Sequence, residues 1–507
     1  MLAPDYLDHA PDRLVLLWQQ VEDDILRDVA RRIGKMDALT PTANWQLWRY
    51  QQTEAVRKDV VKLLARYTGK SEAEIRRLMK EAATAALEAE DEIYYHYGKE
   101  PTPFEESAPL QNLLNAGYRQ TAGSFSNLTA TTANTVSGAF EQALDRAWLQ
   151  VSSGAFDYKT AVKRAVDGLA DSMPYVTYPS GHRDTLEVAC RRAVLTGVNQ
   201  TGAKLQEARM DEMGASFVEV TAHGGARPSH AVWQGKRYHR GGAADYLGQH
   251  YEDFESATGY GTGAGLCGWN CRHTFFVVFP ELGSPPAWTQ ESLEALNARN
   301  IEYDGRLYTR YEISQMQRAR ERAVRKWKRR YLAEDAAGAD TTASAVKLRQ
   351  ARQSLADFTR ATGGRVDSAR TSVHGFGRSE ASKASYAARK QEQFNAANTE
   401  LQQMREAGTI KAKGRLIESP SAPNEINFAS DHVLQRWAER GMGPMDAERI
   451  IRSSKVAMSQ RNGTQTCYYS ELGFVAIGQD GNVSSIGPLD EGGKKLMEVV
   501  KKHGIPH

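Results

Sequence analysis

The chain has 507 residues, and its 65 Lys and Arg against 62 Asp and Glu leave a net charge of only +3. That length allows about three domains, and near-neutrality argues against a wholly basic nucleic-acid coat and against an acidic tail protein. Apolar residues at 41% and charged residues at 25% describe a folded, soluble chain, and four cysteines are too few for a disulfide scaffold. No apolar run approaches the ~18 residues of a bilayer span, so no membrane partner is expected. Asp5 and Asp8 near the start, with no long apolar stretch, do not read as a secretory signal. The expectation is a protein folded in a reducing cytoplasm.

The first hundred residues read as helix. Leu14, Leu17, Trp18, Val21, Ile25, Val29 and Ile33 recur at three- and four-residue steps, and Val56, Val60, Leu63, Leu64 and Tyr67 make a second stripe. Ser71-Glu72-Ala73-Glu74 has capping-box spacing and predicts the start of a third helix running toward Tyr95. Helical pattern continues through 104–215, with Thr, Asn and Ala concentrated between Phe125 and Phe140 and a Pro/Gly interruption from Tyr175 to Arg183. At Phe217 to Val220 the period changes to that of a strand, and the chain stays rich in Gly, His and aromatics as far as Phe279.

That segment holds His223, His230, Cys267, Cys271 and His273, five candidate ligands for a soft metal such as a structural zinc. The spacing is not that of a standard zinc finger. A metal-free knot of hydrogen-bonded imidazoles and buried thiols is the competing reading, and nothing nearby completes a catalytic triad. Gly259, Gly261, Gly263, Gly265 and Gly268 lack the Gly-Lys-Ser/Thr ending of a phosphate loop. Trp233, Tyr260 and Trp269 are expected to wedge the knot from inside.

The runs Val220 to Lys236 and Thr258 to His273, with Tyr178-Pro179-Ser180-Gly181 and Arg191 to Thr201, closely resemble the phage minor capsid protein 2 family. They are related more loosely to MuF-type minor head proteins. The resemblance covers roughly residues 10–290. It implies a structural protein of a tailed-phage head, present in few copies near the portal vertex, with the portal protein and major capsid protein as partners and the virion as its place.

Between Arg318 and Arg330 stand eight basic residues and one acid. Such a helix suits packaged DNA through phosphate attraction, or equally a solvated face or an acidic partner. Residues 335–425 are poor in large apolar side chains and read as weakly amphipathic helix and linker, with 365–385 the best linker. From 426 to 507 the sequence reads as a compact α+β unit. It has a helix carrying Val433, Leu434 and Trp437, a second opened by Pro444, strands at Tyr468 to Ile477 and Val483 to Ile486 around an Asp480-Gly481 turn, and a last helix from Gly493.

His432, Arg436 and Arg440 are four residues apart, which would place them on one helical face. This unit resembles the phage-associated nuclease-like domains of the barnase, EndoU, colicin E5/D and RelE group. The resemblance implies metal-independent RNA cleavage, with His432 as base or acid, Arg436 and Arg440 as a phosphate clamp and Tyr468, Ser470 or Thr466 completing the site. An inactive remnant, or a salt-bridged helix face, is the plainer reading.

The expected architecture is mainly α with an α+β C-terminal domain. The parts are a helical body (1–215), a His/Cys/Gly knot with short strands (216–290), a basic helix and linker (291–425) and the nuclease-like unit (426–507). A phage-delivered ribonuclease toxin that uses the head-protein region as carrier, and a DNA-binding accessory protein, are the alternatives.

Overall fold

The computed structural model describes residues 2–36, 42–172, 175–178, 182–420, 426–428 and 431–506, with the backbone alone at 42–44, 126–130, 172, 175, 177, 183, 431–433 and 436. The chain is mainly helical and carries an α+β C-terminal domain, as expected. It divides into two compact units, Met1–Glu380 and Ala381–His507. No helix among the described residues is long and apolar enough to cross a membrane.

The first unit opens with α1 (Pro4–His9) and α2 (Asp12–Gly34). The apolar stripe of α2 is buried as its spacing predicts: Leu14, Trp18, Val21, Ile25, Val29 and Ile33 are each at most 2% exposed. α3 is one helix of 55 residues, Thr42–His96, so the start expected at Ser71 is corrected. Ser71 is fully buried in mid-helix. Its hydroxyl donates to the Tyr67 carbonyl (2.9 Å) and accepts the Trp18 indole N–H (3.0 Å). A serine that bonds back to residue i−4 needs no cap role.

α4 (Ala108–Ser152) and α5 (Tyr158–Ser172) follow, then a short hairpin of β1 (Tyr175–Thr177) and β2 (Arg183–Thr185). α6 (Leu186–Met213) begins at the Thr185 cap and packs on α2, α3 and α4. The α4–α6 crossing is close because each helix offers a glycine to the other's threonine. A Cβ on Gly117 would overlap Thr201, and one on Gly197 would overlap Thr121.

After α6 come β3 (Phe217–Val220), α7 (Pro228–Ala231), β4 (Arg237–His239), β5 (Ala244–Tyr246), β6 (Gln249–Tyr251), α8 (Phe254–Thr258) and β7 (Phe275–Val277). β4, β3 and β7 form an antiparallel sheet in that order, and β5 pairs with β6. The sheet is fixed to the helices: Glu90 of α3, fully buried, accepts the Val277 N–H (3.1 Å) and the Gln206 amide (3.2 Å). Burial pushes Glu90 up to about 7.

The unit continues with α9 (Gln290–Asn297), the hairpin β8 (Ile301–Tyr303) and β9 (Arg306–Tyr308), α10 (Arg310–Ala336), α11 (Thr342–Thr362) and α12 (Ser368–Thr371). A capping box of Thr309 and Glu312 starts α10.

The basic run of α10 is not a free cationic face. Arg329 is buried against Glu22 (2.8 Å) and Asp23 (2.8 Å) of α2, and Arg325 pairs with Glu187. Arg330 binds Asp167 (3.0 Å), Lys326 pairs with Asp171 (3.0 Å), and Lys328 donates to the Thr371 carbonyl (2.5 Å). Arg320 lies 4.1 Å over the Phe358 ring. Acids that the local sequence does not show arrive from α2, α5 and α6.

The second unit takes in most of α13 (Arg378–Glu406), then β10 (Arg415–Glu418), α14 (Asp431–Glu439), α15 (Pro444–Ser453), β11 (Val456–Gln460), β12 (Gln465–Ser470), β13 (Gly473–Gly478), β14 (Val483–Gly487) and α16 (Glu491–Lys502). The sheet is an antiparallel meander in the order β10 to β14. One face packs on α13 and α16 through Leu416, Val456, Met458, Leu401, Leu496 and Val500. The other packs on α14 and α15 through Ala457, Val475, Ile477, Trp437 and Ile450. The unit therefore starts before residue 426: β10 and α13, within the stretch expected to be helix and linker, complete its sheet and core. The single strand expected over Tyr468–Ile477 is two strands, reversed at Glu471-Leu472.

Candidate functional site

The knot is built where the loop after α8 returns into β7. The glycines there allow backbone to touch backbone; a Cβ on Gly265 would overlap the Gly259 carbonyl. Cys267 and Asn270 hold positive φ of 57° and 54°. Asn199 of α6, fully buried, donates its amide to the Cys271 (2.9 Å) and His273 (3.0 Å) carbonyls and clamps the segment to the helical body.

Of the five candidate ligands, three come together. The ligand atoms of His230, Cys271 and His273 lie within 4.8 Å of one another, and all three residues are buried. Cys271 Sγ is 3.7 Å from His230 Nδ1 and 3.6 Å from His273 Nδ1. Cys267 is buried but turned aside, its Sγ 3.6 Å from the His273 carbonyl. His223 stacks on His273 with ring centroids 4.4 Å apart, and its Nδ1 donates to the Gly224 carbonyl (3.2 Å). All the cysteines are free thiols. Burial pushes the Cys271 and Cys267 thiols up and His230 and His273 down, while burial and Arg272 bring His223 down to about 4.

The cluster lines a cleft of about 950 Å³ with Arg192, Arg227, Arg272 and Arg318, and no carboxylate lines it among the described residues. Arg227 donates to the Trp269 carbonyl (2.7 Å). Arg192 pairs with Asp184 (2.8 Å). Arg272, Arg318 and Arg370 share Asp8, at 3.6, 3.9 and 3.1 Å. Burial opposes ionisation of Asp8, yet Arg272 and Arg370 hold it below the usual carboxylate range. Arg318 is brought down to about 10 by burial and by Arg370. Four arginines set against Asp184 and Asp8 leave the cleft with an excess of positive charge.

Trp233 is buried in the knot and Tyr260 packs beside it, as expected, but Trp269 is 61% exposed and lines the cleft. The supporting Asn199 and Gln234 stand in the quoted motifs and received no role. A buried amide among Gly, His and Cys is the only sequence signal they carry. Pro179, Ser180 and Gly181 of the resemblance lie outside the described residues.

In the second unit the side chains of His432 and Arg436 also lie outside the described residues. α14 ends at Glu439, and Arg440 stands at its C-cap. It sits at the turn closed by Gly441 (φ +67°), where the Met442 N–H returns to the Trp437 carbonyl (3.0 Å). The exposed Arg440 guanidinium donates to the Ile486 carbonyl (2.9 Å). Tyr468 is 2% exposed, and its ring belongs to the core with Trp437 and Ile450.

The chain matches no curated protein and no solved structure. The family model described as "Phage minor capsid protein 2" matches residues 2–360. With most of the first unit so matched, the chain belongs to the phage minor capsid protein 2 family, a structural protein of the phage head that resides in the virion among other head components.

Proposed function

We propose that this protein works at the portal vertex of the head, touching the portal protein and the major capsid protein during head assembly or DNA packaging and ejection. The likeness to MuF-type head proteins supports that placement. In this reading the first unit is the capsid part and the second is a nuclease-like passenger. The observation that carries it is the coincidence of two limits: the family match stops at residue 360, and a second unit with its own sheet and core begins at Ala381. Proheads and mature virions fractionated from a lysate should contain the protein in few copies, and should lose it with the portal when that protein is removed. Copies in large excess over the portal, spread through the shell, would overturn the portal placement.

The separateness of the second unit also favours the reading of a ribonuclease carried with the head. Full-length protein should then cleave RNA without added metal. His432→Ala should abolish cutting while sparing RNA binding, and Arg436→Ala should weaken binding. Absence of cleavage by the wild-type chain leaves an inert passenger. Packaged DNA as a partner of Arg318–Arg330 loses its main support, because those cations are largely spent on acids within the first unit. Salt-sensitive duplex binding lost in Arg322→Glu would restore it.

A further inference from the structure

The hydrogens around the Cys271 cluster can be counted. Ala264 O can only accept, so the His230 nitrogen bound to it at 2.9 Å, Nε2, carries the hydrogen. Gln234 Oε1 accepts the His223 backbone N–H (3.1 Å) while its Nε2 donates to Asn297 (3.2 Å), which fixes the amide orientation. His273 Nε2, 2.9 Å from that oxygen, must therefore be the donor as well. In the neutral form that binds a metal, both rings therefore turn a bare Nδ1 lone pair toward Cys271 Sγ. One S–H can serve only one of them, and buried acceptors are seldom left without a partner.

A cation removes the shortage. Zinc bound to sulfur at about 2.3 Å and to imidazole nitrogen at about 2.0–2.1 Å sets a tetrahedral S···N edge of about 3.6 Å. The two observed separations are 3.7 and 3.6 Å. The outer hydrogen bonds also have the form that orients metal-binding imidazoles, ring N–H to a carbonyl. Three protein ligands with a vacant fourth position mark an open site rather than a closed structural one. All three residues line the cleft, whose arginines outnumber the carboxylates they pair with.

We propose that His230, Cys271 and His273 bind one zinc-like cation whose fourth position faces the arginine-lined cleft and takes an oxyanion of the phosphate type. Cys267 and His223 are not ligands.

The test uses full-length protein grown with zinc and purified without chelators or metal resin. It should retain about one equivalent of zinc. Cys271→Ala and His273→Ala should retain none, whereas Cys267→Ser and His223→Ala should keep it. Gln234→Ala should weaken binding about tenfold or more. Cobalt exchanged into the wild-type protein should show a thiolate charge-transfer band and a tetrahedral ligand-field band, unchanged in Cys267→Ser, so the test survives if Cys271→Ala fails to fold. Inorganic phosphate should shift the ligand-field band, and Arg227→Ala should raise the phosphate concentration required. Folded wild-type protein that neither retains nor takes up metal overturns the site. Loss of metal in Cys267→Ser or His223→Ala overturns the ligand set, and a cobalt spectrum indifferent to phosphate overturns the open position.

Discussion

Arg329 and Arg227 belong to the same compact unit but stand in opposite surroundings. Arg329 is buried between two carboxylates, both 2.8 Å away, and its charge is held on by them. Arg227 has a backbone carbonyl for a partner and faces a cleft that no carboxylate lines among the described residues. The part of the basic helix that holds Arg325, Lys326, Arg329 and Arg330 is electrostatically closed. The knot, with fewer cations, is open. What decides is where the acids arrive from. Glu22, Asp23, Glu187 and Asp167 are brought to α10 by three other helices, whereas the four cleft arginines draw on two acids, Asp184 for Arg192 and Asp8 for Arg272 and Arg318.

The sharpest way to break this contrast is Arg329→Ala. It strands Glu22 and Asp23 in the interior, and removing one partner of a buried pair costs about 3–5 kcal/mol. Denaturant unfolding at pH 8 should show that loss. Burial, with Asp23 beside it, pushes Glu22 up to about 7. In the variant the loss should therefore shrink toward pH 5, where Glu22 takes a proton. A loss below about 1 kcal/mol at pH 8 would mean a water-screened pair of the surface kind.

Glu90 is the next test, because it is a buried acid satisfied by N–H donors rather than by a guanidinium. Its carboxyl is raised to about 7 in the fold, so the folded chain binds the extra proton between the unfolded value of 4.5 and that point. Stability is fully present below 4.5 and falls as pH rises to about 7, by at most about 3 kcal/mol. Wild type should show a slope of this sign in thermal unfolding between pH 4.5 and 8, and Glu90→Gln should reduce it, leaving the part due to Glu22, which is also raised to about 7. An equal slope in both proteins would assign the titration elsewhere, first to Glu22.

The smallest expected effect sits at the open end of the comparison. Arg227→Ala should change stability by no more than about 0.5 kcal/mol, as for surface substitutions, while weakening phosphate retention by the cleft. A destabilisation as large as that of Arg329→Ala would show the cleft arginines to be structural.

The sequence disclosed elements whose apolar stripe is one-sided. In α2 the spacing from Leu14 to Ile33 already names the buried face. It misled where a polar residue is satisfied by a partner from elsewhere. Ser71 looks like a cap until the Trp18 indole, 53 residues away, is seen to use it. The C-terminal strands were hard to delimit because the sheet is covered on both faces. Val456, Ala457 and Met458 are all fully buried, so no alternation marks the pleat. At the candidate site the residue types were readable, but which three of the five come together was not. That choice depends on which carbonyl occupies each imidazole, and Ala264 and Gln234 are supplied by separate turns of the chain.

The Arg329–Glu22 pair has a further consequence in time. It joins positions 307 residues apart. In equilibrium such a span is cheap, since each doubling of a loop costs only about 0.6 kcal/mol. During synthesis it is slow: at about 5–20 residues per second, roughly 15–60 s separate the emergence of α2 from that of its guanidinium. For that interval the ribosome displays an amphipathic helix with two acids still unneutralised. The N-terminal helix can dock on α3, α5 and α6 early, but its two acids are neutralised among the last, which makes this stretch the natural station for a holding chaperone and the weak point of any chain cut short before α10.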